Sequence, residues 1–151
     1  MKFKHKLLAV ILYSFLIVNY LDNICNPRTV PGWHLILAGI YAVLPLFISE
    51  TYKELLILYI TASLINDLTY APFRLLFIDS KCLWLGKCIS LLDWYMWQLG
   101  FKGLNYKWTA DFLLVKVKVS STLMGAFIWL RIIALTIIGI MEGLRKKHSE
   151  L

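Results

Sequence analysis

The stretch LMGAFIWLRIIALTIIGIMEGL, from Leu123 to Leu144, contains only two charged residues, Arg131 and Glu142. A helix needs about 20 mostly apolar residues to cross the hydrocarbon of a bilayer, and this stretch is long enough. A basic cluster at residues 145–147 follows it directly, where a helix would emerge among lipid headgroups. The stretch therefore predicts a membrane-spanning helix.

Three more apolar runs precede this stretch. We expect four transmembrane helices, at about residues 7–21, 33–49, 54–78 and 123–144, with the third bent at Pro72. Hydrophobic residues make up 60% of the 151 residues, and no linker-like segment divides the chain. We therefore predict an all-α integral membrane protein, multi-pass, in which residues 1–151 form a single polytopic domain.

The segment at about residues 80–108, between the third and fourth runs, is rich in Trp and Tyr. These side chains prefer the membrane interface because the ring is apolar and its N–H or O–H is polar. We expect an interfacial helical segment that carries an aromatic belt, or alternatively a fifth span at residues 83–101. Beyond it, residues 111–121 predict an extension of the fourth helix, with a strand as the alternative. The interfacial aromatics are Trp84, Trp94, Tyr95, Trp97 and Trp108.

The basic residues, which give a net charge of +7, lie mostly at the ends of the apolar runs and between them. Lys2, Lys4 and Lys6 precede the first run and residues 145–147 follow the last. Because basic residues favour the cytoplasmic side, we expect both termini to be cytoplasmic. No small-x-small cleavage site follows the first run, so we interpret it as an uncleaved anchor. This charge distribution suits lipid headgroups, and we expect no nucleic-acid partner.

Polar residues interrupt the apolar runs at one common depth. At 1.5 Å per residue, Asp67 lies about 21 Å from Lys53, and Arg131 lies equally far from Arg145. We predict an intramembrane salt bridge between Asp67 and Arg131, because each charge alone would cost about 2.5–3.5 kcal/mol in the membrane. The predicted polar layer comprises Asn19, Tyr20, His34, Asn66, Asp67 and Arg131.

Two interpretations of this layer stay open. Polar side chains hold membrane helices together, each interhelical hydrogen bond being worth about 0.6–2 kcal/mol. Ionisable residues within a membrane also mark proton, ion or ligand pathways. For a chain this short we favour the structural interpretation.

The cysteines and histidines form no recognisable motif. Cys82 and Cys88 can close a short disulfide on the outer side, or Cys25 can pair with one of them; three buried thiols are an equal alternative. Three histidines without a CxxC or HExxH pattern predict no metal site, and no hydrolase or nucleotide-binding motif is present. We therefore expect no cofactor, and catalysis is the less favoured class of function.

Four short helices bury little surface among themselves, so their bulky apolar residues must face lipid or other proteins. We expect an accessory or scaffolding subunit of a larger integral membrane protein complex, with the lipid bilayer and other membrane subunits as partners. One alternative is a small homo-oligomeric transporter or channel that uses the Asp/Arg/His layer. A less favoured alternative is a membrane enzyme that acts on a lipid at the outer leaflet.

Overall fold

The fold is described from a computed structural model. The structure describes residues 1–25, 30–79, 89–102 and 108–149, apart from the side chains of residues 108 and 143–149. These residues form five helices and one β-hairpin. In chain order the elements are α1 (Phe3–Ile24), α2 (Trp33–Ile48), α3 (Tyr52–Phe77), α4 (Leu91–Gln98), β1 (Trp108–Asp111), β2 (Lys116–Val119) and α5 (Ser121–Ser149).

Three helices in the described part of the chain are long and apolar enough to cross a membrane. They are α1, α3 and the segment Ser121–Glu142 of α5, while α2 is an apolar helix of shorter length. The chain is therefore a mostly helical, membrane-embedded, multi-pass protein. The helices overlap the four predicted spans, and α1 begins at Phe3 rather than at Leu7.

Ion pairs join the helices at the end of the bundle that holds the N-terminus. The buried ammonium group of Lys6 on α1 donates to Glu50 Oε1 at 2.7 Å and to Glu54 Oε2 at 2.8 Å. The Lys53 ammonium lies 2.6 Å from Glu142 Oε1 on α5. The start of α1, the start of α3 and the later part of α5 therefore lie together.

The other ends of these helices meet at the opposite end of the bundle. Trp33, at the start of α2, donates from Nε1 to Asp22 Oδ1 near the end of α1 at 2.8 Å. Arg74, near the end of α3, donates from Nη1 to Asn23 Oδ1 of α1 at 3.3 Å. Consequently α1 and α3 run in one direction, whereas α2 and α5 run in the other.

The buried apolar residues form two clusters, and α3 contributes residues to both. The first joins α1, α2 and the earlier part of α3, and includes Val10, Leu37 and Leu58. The second joins the later part of α3, α4, the hairpin and α5, and includes Trp97 and Ile128. α3 belongs to both clusters, and Asn66 near its middle is fully buried.

α3 continues through Pro72, so this proline does not end the helix. A proline has no N–H, which leaves the carbonyl of Leu68 without its usual helical partner. The Tyr95 hydroxyl of α4 donates to that carbonyl at 2.7 Å, and Gln98 donates from Nε2 to the neighbouring carbonyl of Asp67. α4 therefore packs where the proline opens the backbone of α3.

The turn after α4 also packs closely on α5. A Cβ atom at Gly125 would lie 2.6 Å from the Leu99 carbonyl oxygen and 2.7 Å from Gly100 Cα, closer than real Cβ atoms approach. Only glycine fits there without a shift of the backbone. This contact and the bonds to α3 hold α4 between two helices.

α1 contains a π-helical turn at Ser14–Val18, in which the Asn19 N–H bonds to the Ser14 carbonyl five residues earlier. In a regular α-helix, residues five apart point roughly 140° away from each other. The π-helical turn is wider and reduces this angle, so that Ser14 and Asn19 both face α3. Ser14 Oγ donates to the Ala62 carbonyl of α3 at 2.5 Å, and Asn19 faces the same helix.

Residues 108–119 form a β-hairpin, so the predicted extension of the fourth helix is wrong. The two strands pair antiparallel, with Ala110 opposite Val117. Side chains alternate between the faces of a strand, so Val119 shares the face of these two residues. Ala110 and Val119 are buried in the second apolar cluster, and this burial favours the strand.

Candidate functional site

Two buried amides lie at the centre of a polar cluster between α1, α2 and α3. Asn66 donates from Nδ2 to Asn19 Oδ1 at 2.7 Å, and neither residue has exposed surface. The Tyr41 hydroxyl donates to Asn66 Oδ1 at 2.6 Å, and Asn19 donates from Nδ2 to Thr69 Oγ1 at 2.7 Å. One network of hydrogen bonds therefore joins three helices, and both amides donate and accept within it.

The network continues towards the end of α1. Asn23 donates from Nδ2 to the backbone oxygen of Asn19 at 2.9 Å, and its Oδ1 accepts from Arg74. The Arg74 side chain is buried, and it also lies within hydrogen-bonding reach of the Tyr70 hydroxyl. The cluster thus contains a second guanidinium group in addition to Arg131.

Asp22 adds a second carboxylate to the cluster. Its Oδ1 accepts from Trp33, and the carboxylate lies within hydrogen-bonding reach of Asn66. It is also close enough to Asp67 for the two charges to interact. Asp22 is thus a member of the cluster that the depth argument did not include.

Arg131 connects α5 to α3. It donates from Nη2 to Asp67 Oδ2, from Nη1 to Ser63 Oγ at 3.1 Å, and from Nε to the Phe127 backbone oxygen at 3.1 Å. The Asp67 and Arg131 side chains keep 22% and 20% of their surface exposed. They form the accessible edge of a cluster whose central amides are fully buried.

His34 joins the cluster to the hairpin. Its Nδ1 accepts from the backbone N–H of Asp111 at 2.9 Å, and its ring lies 5.8 Å from that of Phe112, between centroids. The imidazole therefore carries a proton on Nε2 in its neutral form. His34 is close enough to Asp67 for electrostatic interaction.

Of the predicted polar layer, the structure does not bring Tyr20 into the cluster. Its side chain is 51% exposed, whereas the neighbouring Asn19 is fully buried. Successive helical residues point about 100° apart, so only one of the two can face α3. The depth of a residue along a helix does not specify the direction of its side chain.

The predicted interfacial aromatics lie in different environments. Trp94 and Trp97 of α4 are buried in the second apolar cluster, and Tyr95 is partly buried with its hydroxyl on α3. Trp84 and the side chain of Trp108 lie outside the described residues. α4 therefore contributes its two tryptophans to the core of the protein.

The predicted disulfide between Cys82 and Cys88 stays a prediction, because both lie outside the described residues. Cys25 has a free thiol. Within the described ranges, no group of three or more His, Cys, Asp and Glu side chains is arranged to hold a metal ion. The chemistry available in the cluster is that of carboxylates, amides, hydroxyls, an imidazole and two guanidinium groups.

Two carboxylates outside the helical spans have altered acidity. The hydrogen bond from Lys6 lowers the pKa of Glu50 below its usual value. On α4, hydrogen bonds from Lys102 and from the Ser90 hydroxyl lower the pKa of Asp93. Both carboxylates therefore stay ionised at neutral pH and keep their contacts.

Several cluster residues carried weak signals in the sequence. Asp22 lies three residues after Asn19 and therefore on the same face of α1. Thr69 and Tyr70 follow Asp67 on α3 and are not distinctive in an apolar run. Tyr41 lies four residues before Pro45, in a helix whose apolar residues are spread around its circumference. Only a search for polar residues at three- and four-residue spacing from Asn19 would have found Asp22 and Asn23.

Comparison with known protein families, with curated proteins and with solved structures gave no match. The polar cluster and the surface of the bundle are therefore the features that bear on function.

Proposed function

We propose that the chain crosses the membrane four times, with α2 as the second span. The start of α2 contacts Asp22 near the end of α1, and Glu50, just beyond α2, contacts Lys6 near the start of α1. The 16 residues of α2 extend about 24 Å. The two ends of α2 therefore lie near opposite ends of α1, which is long enough to cross a membrane. This arrangement supports α2 as a crossing helix.

Both termini lie on the cytoplasmic side in this proposal. The N-terminal amine is 3.5 Å from Glu50 Oε1, and the Lys53–Glu142 pair is at the same end of the bundle. Basic residues at that end, at positions 2, 4 and 6 and at 145–147, support its cytoplasmic location. α4 and the hairpin then lie at the outer surface, the location expected for the Trp-rich segment.

In this membrane the protein acts as an accessory or scaffolding subunit of a larger complex. The observation that carries the proposal is the uncovered surface of α5. Only 17% of the residues along its most apolar stretch are buried, against 39% along that of α3. Large side chains along α5 are exposed, namely Phe127, Leu130, Ile133, Ile137, Ile140 and Met141.

The polar cluster supports the same function. Asn66 of α3 donates to Asn19 of α1 and accepts from Tyr41 of α2. Arg131 of α5 bonds to Ser63 and Asp67 of α3. Such bonds fix the arrangement of helices where hydrophobicity cannot, since lipid is as apolar as the helix surface. Because the polar groups of the cluster bond to groups on the protein's own helices, the cluster suits a structural subunit.

Native mass spectrometry of the protein, gently solubilised from membranes of its own host, tests this function. The expected result is a complex with different polypeptides at fixed stoichiometry. A monomer or a symmetric homo-oligomer that contains only this chain would contradict the proposal.

A proton-linked transporter or channel is the second candidate. It is favoured by the partial exposure of Asp67 and Arg131, next to His34 and Asp22. The test is proton flux in proteoliposomes that enclose a pH-sensitive dye. This candidate requires flux from the purified chain that Asp67→Asn abolishes while the protein stays folded, and the absence of flux would exclude proton transport by the chain alone.

A further inference from the structure

The tip of the hairpin exposes four consecutive apolar residues. Phe112, Leu113, Leu114 and Val115 connect the two strands, and Leu114 is 92% exposed. A hairpin turn is normally built from Gly, Asn or Asp, because these residues tolerate the backbone angles that a tight turn requires. An apolar turn of this kind, with Leu114 almost fully exposed, has a contact surface that the described residues cover only in part.

The turn is strained around Leu113. Its φ of 70° lies in the left-handed region, and Leu114 N–H bonds to the Phe112 carbonyl across it at 2.9 Å. This conformation costs a leucine about 1–2 kcal/mol. Leu113 packs against Gly32, where an added Cβ would lie 3.0 Å from Leu113 Cβ. Residue 113 is therefore a leucine at a position where glycine would adopt the backbone angle without strain.

Both ends of the hairpin lie at the level where apolar helices begin. Gly32, under the tip, immediately precedes α2. At the other end, β2 finishes at Val119 and α5 starts at Ser121. With α2 and α5 both crossing the membrane, a sheet attached at these two points runs along the membrane surface.

The faces of the hairpin differ in polarity. Val117 and Val119 point towards the protein, with Val119 buried, while Lys116 and Lys118 are exposed on the other face. Lys116 and Lys118 follow the apolar tip and are two residues apart, so both lie on the same face of β2. An apolar wedge beside exposed lysines is the arrangement by which peripheral elements bind anionic lipid surfaces.

We propose that residues 112–115 insert into the outer leaflet and that Lys116 and Lys118 bind the phosphates of its phospholipids. The inference rests on the four-span arrangement but not on the subunit function. A lipid surface fits better than a protein partner, because the exposed apolar residues form a turn at membrane level and are followed by two exposed lysines.

A fluorescent probe on the tip tests the insertion. Leu114→Cys, in a background with Cys25, Cys82 and Cys88 replaced by serine, is labelled with an environment-sensitive nitrobenzoxadiazole dye. The protein is placed in nanodiscs that contain anionic phospholipid, with or without lipids that carry a nitroxide near the top of the acyl chain. Lys118→Cys on β2, four residues after the tip position, is the matched control, and size-exclusion chromatography verifies that both variants fold.

The expected result is that nitroxide lipids reduce the emission of the Leu114 probe by about two-fold, as for a group just below the headgroups. Aqueous iodide should quench the Lys118 probe instead. Equal iodide quenching at both positions would contradict the proposal, since the tip would be in water. Blue-shifted emission at position 114 that neither quencher affects would also overturn it, because the tip would be covered by protein.

A second variant isolates the lysines. In Lys116→Gln/Lys118→Gln with the same probe at Leu114, nitroxide quenching should no longer increase with the fraction of anionic lipid. An unchanged dependence on anionic lipid would refute the role of the lysines.

Discussion

At the scale of single residues, the protein is organised by polar side chains that meet at one level of the bundle. Counting residues along each helix placed Asn19, Asn66, Asp67 and Arg131 at one depth; in the structure Asn66 bonds to Asn19, and Arg131 bonds to Asp67. The count could not distinguish Asn19 from Tyr20, because helical rise gives depth and not direction. Asp22 was missed because the count selected a single depth, and Asp22 lies about 4.5 Å farther along α1 than Asn19.

The Asn19–Asn66 contact should contribute measurably to stability. We expect Asn66→Ala to lower the free energy of unfolding by about 1–2 kcal/mol, because it leaves Asn19 Oδ1 without its donor and the Tyr41 hydroxyl without its acceptor. A double-mutant cycle with Asn19→Ala, measured by unfolding in mixed micelles, should give a coupling energy of about 0.6–2 kcal/mol. Tyr20→Leu at the exposed neighbouring position should have little effect, and additive losses for Asn19 and Asn66 would refute the coupling.

The Asp67–Arg131 pair should depend on both charges. Arg131→Leu leaves the Asp67 carboxylate uncompensated, and we expect a loss of about 3 kcal/mol in unfolding free energy. The double variant Asp67→Leu/Arg131→Leu should recover most of this loss, because an apolar pair needs no desolvation. If the double variant were less stable than Arg131→Leu alone, the loss in Arg131→Leu could not be due to the uncompensated Asp67 charge.

At the scale of helices and strands, two irregularities determine how the elements fit together. Pro72 was predicted to bend the third helix, but only the structure reveals that α4 donates a hydrogen bond to the Leu68 carbonyl, which the proline leaves without a helical donor. The hairpin was not predicted because alternation of lysine and valine over four residues also suits the end of a helix. The burial of Val119 against residues that are far away in the sequence favours the strand over the helix. The local sequence does not reveal this burial.

Tyr95 and Pro72 should be energetically coupled. Tyr95→Phe removes the donor to the Leu68 carbonyl and should cost about 1 kcal/mol. In a Pro72→Ala background the new N–H can bond to that carbonyl, so Tyr95→Phe should then cost close to nothing. Unfolding measurements on the four proteins of this cycle check the coupling, and an equal cost in both backgrounds would contradict it.

The π turn of α1 should tolerate the loss of one residue. Deleting the exposed Ile17 would convert the turn to a regular α-helix while keeping Ser14 and Asn19 directed at α3. We expect the deletion variant to fold with a melting temperature near that of the parent protein. Deletion of the exposed Leu8, in the regular part of α1, should prevent folding because it rotates Lys6 away from its partners. Equal effects of both deletions would disprove this account of the turn.

At the scale of the whole molecule, the sequence indicated a multi-pass membrane protein from the length of its apolar runs. It contained no information on partners, because lipid-facing and protein-facing helix surfaces are equally apolar. The structure adds that α5 contacts the rest of the protein along a single side, through Gly125 near its start, Arg131 in its middle and Glu142 farther along. The remaining surface of α5 is where we expect another membrane subunit to bind.

Photo-cross-linking in host membranes tests this claim most directly. A benzophenone amino acid replaces Ile137 on the exposed side of α5, or Leu12 on the exposed side of α1 as the matched control. We predict an adduct of one defined mass with a different polypeptide at position 137 and none at position 12. Adducts with lipid alone, or with a second copy of this chain alone, at position 137 would contradict the assignment as a subunit of a larger complex.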